Sequence, residues 1–160
     1  MNLAVRDADV AELMDDPACD LGQLRRTYAV FPVVNGLVAG TLIQAEWFSD
    51  STTLTALEPG ATGRFDWDGY GNFPFEVTEV EPTAVFGYRW SGIPAEELLS
   101  DDSTLVRFEL ADAADGTEIT VIESGFEKLP GGTAYRRTRL EQNRDGWNIE
   151  LDELAAALEG

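Results

Sequence analysis

The chain has 160 residues, 44% of them hydrophobic, with 30 acidic against 11 basic side chains and a formal net charge of −19 at pH 7. A chain of this length buries about two-thirds of its unfolded surface, enough for one core without covalent staples. Histidine is absent and Cys19 is the single cysteine, which excludes Ser-His-Asp and Cys-His catalysis, histidine-bearing zinc sites and an internal disulfide framework.

Lys128 is the only lysine, and the acidic surplus repels phosphate backbones, so nucleic acid and anionic membrane are poor partners. The acidity itself is explained by solubility, including solubility at high salt. No segment approaches the roughly 20 apolar residues that span a bilayer. Met1 to Val10 lack a basic start followed by an apolar run, so no export signal is expected. A lone thiol suits a reducing compartment, and the expected location is the cytoplasm.

In chain order, Met1 to Leu24 show weak helical spacing at Val5, Val10, Leu13 and Met14, broken at Asp15-Asp16-Pro17. This stretch is expected to be an appended N-terminal arm (1–24), with the domain proper running from 25 to 160. Arg26 to Phe31 is β-prone and stops at Pro32. Val34 to Phe48 has helical spacing, but each of Gly36 and Gly40 costs a helix about 1 kcal/mol against alanine, so two short helices are expected there. Six strand candidates follow: Thr52 to Leu57, Ala61 to Trp67, Phe73 to Glu81, Ala84 to Trp90, Ser103 to Ala111 and Thr117 to Phe126. Turn residues such as Glu58-Pro59-Gly60, Asp68-Gly69-Tyr70-Gly71 and Glu81-Pro82-Thr83 separate them, which is the pattern of an antiparallel meander. Ser91 to Asp102 is the one longer crossing loop.

Alternation makes the sheet one-sided. Phe65 and Trp67 oppose Arg64 and Asp66; Phe86, Tyr88 and Trp90 oppose Gly87 and Arg89; Val106, Phe108 and Leu110 oppose Arg107 and Glu109. Burial of each large apolar side chain is worth about 1.5–3 kcal/mol, so this face requires a cover. The cover is a C-terminal helix on which Leu140, Arg144, Trp147, Leu151, Leu154 and Leu158 recur at the spacing of one face, with Arg144 or its neighbour Asn143 as the polar exception. Gly146 beside Trp147 suggests a close backbone approach or a slight bend.

The expected fold class is therefore α+β: a curved antiparallel six- or seven-stranded sheet wrapped around a long C-terminal helix, with two short helices after the first strand. Particular residues carry a family likeness. Pro59-Gly60, Gly71, Val77-Thr78-Glu79-Val80-Glu81-Pro82 and Phe86-Gly87-Tyr88-Arg89-Trp90 resemble the central strands of the START-like SRPBCC superfamily, the helix-grip proteins. Gly116 through Phe126, and then Gly146-Trp147 with Leu151, Leu154 and Leu158, look like the last strand and closing helix of its AHSA-type branch, the homologues of the heat-shock-protein ATPase activator. The likeness covers Arg25 to Gly160. It departs from the family at the start, where Phe31-Pro32 stands for an Ala-Pro pair and Asn35 falls where tryptophan is usual.

A concave sheet closed by one helix commonly leaves an apolar cavity with a few directing polar groups. The candidate lining is Trp47, Phe48, Trp67, Phe75, Tyr88, Trp90, Glu123, Asn143, Trp147 and Leu151. The alternation Ile119, Val121, Glu123 turns the Glu123 carboxyl inward, where it pairs with an arginine such as Arg144, holds a proton, or meets water at the cavity mouth. The basic run Arg136-Arg137-Thr138-Arg139 either neutralises nearby carboxylates or receives an acidic group of a ligand or partner. By analogy of fold, the first expectation is binding of a small apolar, lipid-like or polyketide-like molecule, without chemistry, metal or cofactor. The resemblance leaves two alternatives: a cyclase- or hydrolase-type enzyme using Glu123 or Tyr88, and an interaction protein that stimulates a chaperone ATPase, in which case a protein is the partner.

Overall fold

The computed structural model describes residues 4–6, 23–30, 48–81, 84–98, 101–113 and 116–159. Eight strands form one antiparallel sheet: β1 (Ala4–Arg6), β2 (Gln23–Val30), β3 (Ser51–Leu54), β4 (Thr62–Trp67), β5 (Gly71–Glu81), β6 (Val85–Trp90), β7 (Thr104–Ala113) and β8 (Gly116–Ser124). A long helix, α1 (Thr133–Glu159), follows. The spatial order is β1-β2-β8-β7-β6-β5-β4-β3. The meander from β3 to β8 is thus continued by β2, which pairs with the last strand rather than with the next one in sequence, Leu24 lying opposite Glu123 and Thr27 opposite Thr120.

The sheet expected from sequence has six or seven strands, and Ala4–Arg6 adds an eighth at its edge, pairing with β2 from Ala4 opposite Ala29 to Arg6 opposite Thr27. Val5, read from spacing as helical, is therefore extended: strand pairing to β2 outweighs a weak local periodicity. The two short helices expected within Val34 to Phe48 lie outside the described residues except for Phe48, which sits in a bend before β3. The last strand stops at Ser124 rather than Phe126, because Gly125 takes a left-handed φ of 98° and turns the chain into a 3-10 turn at Phe126–Lys128. That turn buries Phe126, and Leu129 follows it into the core.

One face of the sheet carries the core: Phe65, Phe75, Val77, Phe86, Tyr88, Val106, Phe108, Ile119 and Val121 are buried there with Leu140, Trp147 and Leu151 of α1. Two glycines let the sheet accept this load of rings. Gly63 lies opposite Phe75 in the β4–β5 register, and a Cβ at Gly63 would fall 2.3 Å from the Phe75 ring. Phe75 therefore covers the bare backbone and stacks on Phe65, with centroids 4.2 Å apart. Gly87 lies beside a register shift between Val77 and Glu79, where a Cβ would meet Thr78 Oγ1 at 2.9 Å. Such a bulge bends and twists a strand, which curves the sheet toward the helix.

Among the described side chains of α1 the buried ones are Arg139, Leu140, Trp147 and Leu151. Asn143, not Arg144, is the polar residue turned inward: Arg144 instead pairs with its neighbour Asp145 at 3.0 Å. Leu154 and Leu158 continue the helix, their side chains lying outside the described set. Among the described residues no helix is long and apolar enough to cross a membrane.

Candidate functional site

Trp90 and Thr104 face each other across the β6–β7 ladder, and Glu123 follows on β8, where it pairs with Val106. Strand register thus brings an indole, a hydroxyl and a carboxylate together at one end of the sheet, beneath α1. Glu123 is fully buried, and its Oε1 accepts from Trp90 Nε1 at 3.0 Å, Thr104 Oγ1 at 2.5 Å and Asn143 Nδ2 at 2.9 Å. Its Oε2 accepts from Trp147 Nε1 at 2.7 Å. A carboxylate offers about four acceptor positions, so this one is supplied with donors from β6, β7 and α1.

The arginine partner, Arg144, anticipated from sequence is not used. Four neutral donors take its place, because the aromatic strands and the inward face of α1 deliver N–H and O–H groups there while Arg144 projects to the side. Charge-assisted bonds of this kind are worth roughly 1.5–3 kcal/mol each, and together they offset the desolvation that an unpaired buried carboxylate would suffer. The network also fixes the depth and rotation of α1 over the sheet, since both Asn143 and Trp147 must reach the same carboxylate.

Tyr88 sits deeper in the same core and is fully buried. Its hydroxyl has no hydrogen-bond partner among the described residues. Burial pushes the phenol well above its ordinary range, and the charges of Glu123 and Glu150 add to that effect, so the group stays neutral.

Beside this network lies a gap of about 110 Å³. Phe48, Trp67, Trp90 and Trp147 supply its aromatic walls, and α1 contributes Gln142, Asn143, Gly146 and Glu150. Phe48 stacks on Trp147 with centroids 5.3 Å apart and meets Trp67 edge-on at 5.2 Å. Gly146 has a plain role here. Among the described residues a Cβ built on it meets nothing within 4 Å, so the glycine leaves room in the gap; of the two readings from sequence, a close backbone approach or a slight bend, the first is not met there.

Glu150 is the polar feature of the gap. Its Oε2 is buried with no hydrogen-bond partner among the described residues. Burial is the largest cause that pushes this carboxyl up to about 8, with the charge of Glu153 adding to it, the Trp67 indole opposing it and Asp50 adding again. The group therefore holds its proton near neutral pH, unlike an ordinary surface glutamate.

A second hollow, of about 410 Å³, opens between β3, β4 and β5 and residues 96–98. Phe75 reaches it, and Arg64 spans it by donating from Nη2 to the Glu96 carbonyl at 2.8 Å. The basic run on α1 is largely engaged within the fold. Arg139 Nη1 donates to Asp102 Oδ1 and to the Tyr135 hydroxyl, both at 2.8 Å. Arg139 Nη2 donates to the Ser91 carbonyl, and Arg136 Nε donates to the Leu129 carbonyl at 2.9 Å. Arg137 is exposed. Among the described residues no group of three or more acidic or cysteine side chains is placed to hold a metal ion.

Of the residues singled out from sequence, the fold brings Phe48, Trp67, Trp90, Asn143 and Trp147 together at the gap, with Glu123 directly behind them. Phe75, Tyr88 and Leu151 belong to the packed core, and Trp47 lies outside the described residues. Glu150 and Thr104 were not anticipated. Glu150 follows Trp147 by three residues, the spacing of one helix face, and that was the signal available for it.

The family model for Activator of Hsp90 ATPase homolog 1-like protein matches residues 36–159. Comparison with curated proteins finds no match. Among solved structures, the chain is similar to protein MLL2253 from Mesorhizobium loti, with a TM-score of 0.64 and 17% identity over 86% of this chain and 96% of that one. It is similar to the Aha1 dimer from Colwellia psychrerythraea, with a TM-score of 0.62 and 17% identity over 86% and 96%. It also resembles DynU16, a protein of the dynemicin biosynthetic locus, with a TM-score of 0.59 and 24% identity over 86% of this chain but 47% of that one, so it spans about half the length of DynU16. At these identities the structures speak for the fold alone. The family model spans most of the chain and agrees with the sheet, the closing helix and their order: this protein belongs to the Activator of Hsp90 ATPase homolog 1-like family.

Proposed function

We propose that the protein binds a small, largely apolar molecule at the gap between the sheet and α1, without transforming it. The observation that carries this reading is the gap itself, walled by Phe48, Trp67, Trp90 and Trp147 and left open by Gly146. Ligand pockets are commonly roughly 300–1,000 Å³, so a gap of about 110 Å³ accepts one compact group of the ligand. A lipid-like or polyketide-like remainder would lie outside these walls. In this reading residues 25–160 form the binding domain with 1–24 as an arm, and the protein works in the cytoplasm, where the Cys19 thiol stays reduced.

The enzymatic alternative has weaker support, since the donors around Glu123 are engaged with it and Tyr88 is neutral and does not line the gap. Stimulation of a chaperone ATPase is supported by the family description alone.

The test is native mass spectrometry of gently purified protein, paired with a thermal-shift screen of apolar compounds on the wild type and on Gly146→Leu. The leucine fills the gap, and replacing a mid-helix glycine does not weaken α1. A stoichiometric co-purifying molecule, or a raised melting temperature that Gly146→Leu abolishes, is the expected result. A wild type with neither, or a variant that binds as well as the wild type, would overturn the reading.

A further inference from the structure

We infer that the gap recognises a small organic cation, an alkylated ammonium head group held against the π surfaces of Phe48, Trp67, Trp90 and Trp147 and paired with the carboxylate of Glu150. The inference rests on the binding reading above and names the chemistry of the group that enters.

Ring faces attract an ammonium within about 6 Å of the centroid, and desolvated sites do so more strongly than exposed ones. Around this gap the centroids of Phe48 and Trp67 are 5.2 Å apart, those of Phe48 and Trp147 5.3 Å, and those of Trp90 and Trp147 6.2 Å. At these separations the rings pack on one another, so a compact head group would lie beside the cluster, against the ring surfaces that line the gap. The N–H groups of Trp90 and Trp147 are already given to Glu123, so what these two indoles have left for a ligand is π surface.

Glu150 supplies the other half of the site. A buried acceptor without a donor is uncommon in folded proteins, and an ammonium that keeps an N–H would provide what Oε2 lacks once the Glu150 side chain turns it toward the gap, whereas a quaternary ammonium would supply charge alone. Among the described residues the lining includes neither lysine nor arginine. Asp50 and Glu153 press on Glu150 from β3's approach and from α1 itself, and the chain carries −19 in all, a field that draws cations in and turns anions away. About 110 Å³ is close to the liquid volume of about four waters, the size of a head group.

Proton linkage follows from the same geometry. Glu150, pushed up to about 8, holds a proton when the gap is unliganded at neutral pH, and an arriving cation displaces it. Among the described residues the other ionisable groups that bear on the site are Asp50, Glu153, Glu123 with its four donors, and the neutral Tyr88. Affinity for a cation therefore rises with pH until Glu150 is ionised, and flattens above that.

The experiment is a tryptophan-fluorescence titration of the full chain with choline and benzylammonium, each against an uncharged analogue in which carbon replaces nitrogen. The wild type and Glu150→Gln are compared between about pH 6 and pH 9. The expected result is that each ammonium binds at least about tenfold more tightly than its analogue. Glu150→Gln should remove that preference and its pH dependence. Equal affinity for charged and uncharged probes, or an ammonium preference that survives Glu150→Gln, would overturn the cation inference and leave the binding reading standing. Failure of both ammonium probes alongside a hit among apolar compounds does the same. Silence from every probe and every apolar compound overturns both.

Discussion

Glu123 rises from β8 and Glu150 descends from α1 toward the same tryptophans, and Asn143 and Trp147 lie between them. The first is wholly buried, yet it accepts four hydrogen bonds from Trp90, Thr104, Asn143 and Trp147. The second is only partly buried, yet one of its oxygens has no partner among the described residues and its carboxyl is pushed up to about 8. Burial pushes the Glu150 carboxyl up, but depth alone does not tell the two groups apart. The supply of donors does: a carboxylate that accepts four hydrogen bonds becomes part of the scaffold, and one short of donors is left available for a ligand.

The sharpest way to break that comparison is Glu123→Gln. The amide keeps the shape but presents an N–H₂ to donors that need an acceptor, so at least one indole or hydroxyl is left unpaired in the core. The expected loss is about 3–5 kcal/mol of unfolding free energy, read from urea denaturation. A loss below about 1 kcal/mol would mean that the network contributes little. Trp147→Phe is the milder cut: it keeps a ring against Phe48 and Phe108 but removes the donor to Oε2. It should cost about 1–3 kcal/mol, and the cost should vanish in the Glu123→Gln background if both act through one bond, which a double-mutant cycle would measure.

Much of this was readable from the chain. Alternation along β4, β6 and β7 identified the apolar face, because a half-buried strand imposes a period of two on its residues. The same period turned Glu123 inward, after Ile119 and Val121. What alternation could not supply was the identity of its partners, which come from three elements and depend on strand register and on the rotation of α1 to within a fraction of a turn. Leu140, Trp147 and Leu151 marked that helix face, yet Asn143 and Arg144 are about 100° apart on it, and only the packed helix separates the residue that reaches Glu123 from the one that pairs with Asp145. Glu150 was harder still. In a chain with 30 acidic residues, one more glutamate on a helix reads as solvated surface, and its distinction arises from the rings of Phe48 and Trp67 brought over it from distant parts of the chain.

The smallest effect expected is also the one that tests the contrast from the side of Glu150. Its carboxyl ionises near 4.5 in the unfolded chain and at about 8 in the folded one, so between those values the folded state holds more protons than the unfolded state. Stability conferred by the protonated form is complete below about pH 4.5 and is lost as pH rises through 8. Glu150→Gln removes this titration. The variant should match the wild type at about pH 4 and exceed it at about pH 9, by about 1–2 kcal/mol once screening at the partly exposed rim is allowed for. Because the two proteins share every other carboxylate, the difference between their denaturation curves isolates this one group. A difference that stays flat with pH would mean that Glu150 is solvated like any surface glutamate, and the contrast with Glu123 would reduce to depth alone.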